Sequence, residues 1–166
     1  MAMRSSRWLG CLGLSISGLA FASACYANTW DQIARYSNIL RGAGTETLVA
    51  RDCPAALMGA FHVGRNAVLL CANNLDNDPV RVWTVLAHES AHVMQSCKEG
   101  PLLADHQFSL ALSNVQERSP QTMKELRLYA HSQQREEVEA RLVQELSDEK
   151  VISLFQKFCA DRLNKR

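Results

Sequence analysis

From residue 28 onward, apolar positions recur mostly at helical spacing, interrupted by one stretch with a shorter beat. Ile33, Tyr36, Ile39 and Leu40 predict a helix over residues 29–41, with Thr29 as its cap and Gly42 and Gly44 closing it. Residues 57–63 and 67–71 are two short apolar runs around Gly64-Arg65-Asn66, the pattern of a β-hairpin. Residues 73–79, dense in Asn and Asp, read as loop. Helices then follow over 80–96, 102–117, 121–146 and 148–163, with breaks at Gly100-Pro101 and Ser119-Pro120. The fold class this predicts is α+β, mainly helical with one small sheet.

The first 27 residues break this pattern. Arg4 and Arg7 precede an uncharged, apolar run from Trp8 to Ala22, and small residues then surround Ala24 and Ala27. That order predicts a signal peptide over 1–27, with Asn28 opening one mature domain over 28–166 and no membrane span left after cleavage. A cut before Cys25 would instead suit a lipid anchor. Export implies a secreted or periplasmic location. Cys53, Cys71, Cys97 and Cys159 remain in the mature chain, and three pairings are open to them. Cys53–Cys71 would clamp the hairpin, and Cys97–Cys159 would tie the central helix to the last one.

Composition narrows the function. The 166 residues are 47% hydrophobic and 21% charged, which excludes a disordered tail and a bundle of membrane spans. A formal net charge of +1 lacks the strong basic field of a nucleic-acid binder.

The chemistry concentrates in the helix predicted over 80–96, which contains His88-Glu89-Ser90-Ala91-His92, an H-E-x-x-H motif. Four residues apart on a helix, His88 and His92 stand on one face and can reach one zinc ion. Glu89 lies about 100° further round the axis, beside the ion rather than on it. Two histidines leave a catalytic zinc one protein ligand short. Gln95 and Lys98 occupy the positions where a glycine and a third histidine would extend the motif, so the remaining ligand must come from elsewhere. The acidic segment Glu136-Glu137-Val138-Glu139-Ala140 is the downstream candidate.

With both segments the chain resembles a small gluzincin metallopeptidase, which pairs H-E-x-x-H on one helix with E-x-E-A on another. The resemblance implies a zincin-like domain, Zn2+ as cofactor, Glu137 as third ligand, Glu89 as general base and a peptide or protein substrate. It also implies an edge strand before the motif helix, at 58–63 or 67–71, that holds extended substrate. The family often places Asp four residues after the third ligand; here that residue is Arg141. The residues themselves leave alternatives open. On a helical wheel Glu139 sits near the middle of the apolar side set by Val138, Leu142, Val143 and Leu146, and Glu136 is a further choice. His62 and His106 read as ordinary polar residues; Tyr129 and His131 are weaker candidates for stabilising a transition state. A zincin-fold protein with little or no catalysis, acting as a secreted binding module, is the competing function.

Overall fold

A computed structural model describes residues 20–118 and 131–165. The chain folds into helices around a three-stranded sheet, an α+β arrangement in which helix predominates.

Helix α1 spans Ala20–Gly42 and contains the predicted 29–41 segment. Thr29 is therefore inside the helix and not its cap; the alanines that precede it are the best helix formers. Ile33, Tyr36 and Leu40 form its buried stripe. At its end the Gly44 N–H donates to Arg41 O at 2.9 Å and the Thr45 N–H to Leu40 O at 3.0 Å. This Schellman closure requires a left-handed residue, supplied by Gly44 at φ 79°.

Strand β1 (Glu46–Ala50) follows at once, and pairs in parallel with β3 (Ala67–Cys71), Glu46 opposite Ala67. Strand β2 (Gly59–His62) pairs antiparallel with β3, His62 opposite Ala67, giving the sheet order β1-β3-β2. The hairpin stands where the apolar runs predicted it. Its turn is a short 3-10 segment, Val63–Arg65, closed by Asn66 at φ 47°. Strand β1 is an addition that the sequence pattern did not announce. As the central strand, β3 is buried along nearly its whole length, which explains its unbroken Ala-Val-Leu-Leu-Cys run.

Helix α2 (Pro79–Lys98) starts where Asp78 accepts the Val80 N–H at 2.9 Å and Pro79 occupies the first turn. It ends at Glu99, left-handed at φ 57°, with the Gly100 N–H donating to Gln95 O at 3.1 Å. Helix α3 spans Asp105–Arg118, α4 spans His131–Gln144, α5 spans Asp148–Phe158 and α6 spans Ala160–Leu163. The first ten residues of the helix predicted over 121–146 lie outside the described residues. The predicted final helix is interrupted at Cys159, whose disulfide draws it to α2.

Helix α2 packs against α1, β2, β3, α4 and α5, and so carries apolar residues on several sides. Leu86, Ala87, Ala91, Val93 and Met94 are all fully buried. Tyr36 donates to Ser90 Oγ at 2.7 Å and stacks edge-on against Phe155, ring centres 5.7 Å apart. Disulfides join Cys53 to Cys71 and Cys97 to Cys159. Both are the predicted pairs and fit a chain that matures under oxidising conditions. Among the described residues no helix is long and apolar enough to cross a membrane.

Candidate metal centre

The packing of α2 on α4 sets the site. His88 and His92 share one face of α2, their rings 5.2 Å apart, and Glu137 comes from α4 to meet them. Glu137 Oε2 lies 3.5 Å from His88 Nε2, and Oε1 lies 3.4 Å from His92 Nε2. One ligand atom from each residue falls within 4.8 Å of the others, so the trio could hold a metal ion. The donor set fits: two imidazole nitrogens and a carboxylate converge from a stiff, mostly buried support.

The opposite ring nitrogens are also engaged. His88 Nδ1 lies 2.8 Å from Gln144 Oε1, and His92 Nδ1 lies 2.8 Å from Gln95 Oε1. Gln144 stands seven residues, two turns, beyond Glu137 on the same face of α4. It contacts the first histidine from there, three residues beyond Arg141. Neither glutamine was legible as a site residue, because their partners are 56 residues away for Gln144 and on the same short motif for Gln95.

Of the three candidate acids, only Glu137 faces the histidines. Glu139 is 1% exposed and accepts the N–H groups of Leu102 at 2.7 Å and Leu103 at 3.0 Å, together with Gln95 Nε2 at 3.0 Å. Glu136 is exposed, and its backbone carbonyl accepts from Gln95. The helical wheel was right that Glu139 is buried. The partner that burial demands is a set of amides, not a metal.

Glu89 is 8% exposed, and its carboxyl lies near the Phe61 backbone of β2. Burial raises its carboxyl above the ordinary carboxylate range, against the opposing pull of His88 and His92. The strand can come this close because residue 59 is glycine. A Cβ there would lie 2.5 Å from Val85 Cγ1, 2.9 Å from Leu69 O and 3.3 Å from Glu89 Cγ.

A cleft of about 660 Å3 opens over these groups, walled by Phe61 and Val63 on one side and by Glu99, Gly100, Gln133 and Glu136 on the other. Of the two candidate edge strands, residues 58–63 contain the real one; 67–71 is the central strand, paired on both sides. His62 accepts the Arg65 N–H at 3.1 Å, capping the hairpin turn, and His106 is exposed on α3. Tyr129 and the side chain of His131 lie outside the described residues.

Residues 51–160 match the family described as Domain of unknown function (DUF8637). The chain belongs to that family. The DUF8637 stretch contains Glu89, the trio, both glutamines and all four disulfide cysteines, whereas α1 and β1 precede it. No curated protein and no solved structure matches this DUF8637 chain.

Proposed function

We propose that this DUF8637 protein is an exported zinc metallopeptidase that hydrolyses peptide bonds. One observation carries the reading: a buried carboxyl, Glu89, lies next to a His-His-Glu donor set on the floor of an open cleft bordered by the edge strand β2. Zinc is the metal that this donor set suits, and when bound it supplies Lewis acidity toward water and the substrate carbonyl.

The chain's own residues account for the rest. Strand β2 offers main-chain groups to an extended peptide, as an added strand would use them. Glu89 takes the proton of the attacking water and passes it to the departing nitrogen, acting as base and then acid. Its raised pKa suits the second role, because a carboxyl that binds its proton more tightly keeps it until the nitrogen needs it. The Phe61 backbone beside it sets the carboxyl against the strand that holds the substrate. The leader pattern and the two disulfides support work in an oxidising compartment.

The test is cleavage of unfolded proteins and of a mixed peptide library by the full mature chain, with zinc and with a chelator. Glu89→Gln should retain zinc while turnover falls by at least about 100-fold, and His88→Ala should lose both. Full zinc occupancy with no cleavage of any substrate would instead favour a non-catalytic binding module.

A further inference from the structure

We propose that Glu139 is a positioning residue for the metal centre: through the Gln95 amide it fixes the His92 ring with Nε2 facing Glu137, and it holds the cleft wall in the same grip. The Gln95 amide nitrogen meets two groups that can only accept. Gln95 Nε2 donates to the Glu136 carbonyl at 3.0 Å and to Glu139 Oε2 at 3.0 Å. Neither acceptor has a proton to offer, so the amide cannot be turned round without losing both bonds. Its oxygen therefore faces His92 Nδ1 at 2.8 Å. An amide oxygen bears no hydrogen, so the proton between them belongs to Nδ1. With Nδ1 so engaged, Nε2 is the nitrogen turned toward Glu137, 3.4 Å from its Oε1, where a metal would replace the proton between them.

Glu139 is itself held. Its two oxygens take the Leu102 and Leu103 N–H groups at 2.7 and 3.0 Å, and the residue is 1% exposed. Those amides belong to the segment that leaves the cleft wall at Glu99 and Gly100. Arg135 adds a second tie from α4, donating to Leu103 O at 2.7 Å. The carboxylate thus joins three parts: the wall segment, α4, and through Gln95 the second histidine of α2. His88 is held differently. Its partner Gln144 has no comparable pair of acceptors on the amide nitrogen among the described residues, so that amide can invert and the ring can follow.

The affinity half of the test rests on the metallopeptidase reading; the exchange half does not. In the metal-free mature chain, NMR should show the His92 Nδ1–H, held by the anchored Gln95 amide, exchanging with solvent more slowly than its His88 counterpart. Glu139→Gln and Gln95→Leu should each bring the His92 Nδ1–H into fast exchange and weaken zinc binding by about 10- to 100-fold. The double variant should bind zinc no more weakly than the worse single one, because both cut the same chain of contacts. Cobalt-substituted protein should show a changed visible spectrum in both variants. If the variants lower the melting temperature but leave the His92 Nδ1–H exchange and the zinc affinity of the folded protein unchanged, Glu139 is structural only and the proposal is overturned. Should Glu139→Gln fail to fold, Gln95→Leu decides alone by the same readouts. A native chain that binds no zinc, yet shows a slowly exchanging His92 Nδ1–H that the variants release, would sink the peptidase reading and uphold this one.

Discussion

Without metal, His92 and Glu137 hold each other's charge. Burial pushes the Glu137 carboxyl up, but hydrogen bonds from His88 and His92 outweigh it and hold the group at about 2. Burial pushes His92 down, and its bonds to Glu137 and Gln95 more than reverse that, leaving its pKa raised. A depressed carboxylate stabilises the fold above its ordinary value and loses that contribution as pH falls toward 2. A raised imidazole stabilises below its ordinary value and loses that contribution as pH climbs through the raised one. Both contributions are present together between the ordinary values of 4.5 and 6.5. In chelator, the native chain should therefore exceed Glu137→Gln in stability most in that window, with the gap closing on either side. Saturating zinc should remove the alkaline decline, since a metal binds the neutral ring. Denaturant unfolding across pH, with and without zinc, measures this; a gap independent of pH would refute the pairing. At this scale the histidines and Glu89 were legible because their spacing is local. Glu137 was legible only through a family resemblance, since a helical wheel reports burial and not the identity of a partner. Gln95 was visible only as a missing glycine; its acceptors lie 41 and 44 residues away.

Among the elements, β2 and α2 depend most on a single residue. Gly59 lets the edge strand settle against Val85 and Glu89, and one obstacle to a side chain there is the Leu69 carbonyl, part of the backbone of β3. Backbone cannot swing aside as a side-chain tip can, so Gly59→Ala must separate strand from sheet or from helix. The expected cost is about 1–3 kcal/mol of stability, as for other overpacked sites. Turnover should fall with it, because the Phe61 backbone withdraws from Glu89. Urea unfolding and peptide hydrolysis measured side by side check both, and an alanine variant as stable and active as the native chain would contradict this packing. The hairpin and α2 were readable because apolar runs, an Asn- and Asp-rich loop before the helix and a Gly-Pro stop are all local signals; the Asp78 cap, with Pro79 inside the first turn, was read as loop. Strand β1 was not, for Leu48 and Val49 are exposed and its partner β3 begins 21 residues further along the chain, in parallel. The break at Cys159 was equally hidden, being set by a bond to a cysteine 62 residues earlier.

Across the whole molecule, two different fasteners hold the helices to α2. The Cys97–Cys159 disulfide staples α5 and α6 to its C-terminal end covalently. Helix α4 relies on packing by Val138, Ala140 and Val143, on the Gln95 bonds, and on Glu137, which with His88 and His92 of α2 could hold a metal ion. A bound metal therefore stabilises unequally. At a free concentration of 100 times Kd, a ligand that binds only the native state adds about 2.7 kcal/mol. Openings that detach α4 break the site and must pay that full amount, whereas openings that leave the site intact are unaffected by it. Zinc should accordingly slow amide hydrogen exchange in α4 by about 100-fold at that excess, while exchange in α5, fastened through sulfur, changes much less. Mass-spectrometric exchange on the full mature chain resolves the two helices. Equal slowing in both would mean that they open together, and no slowing in α4 would mean that Glu137 does not share the ion with α2.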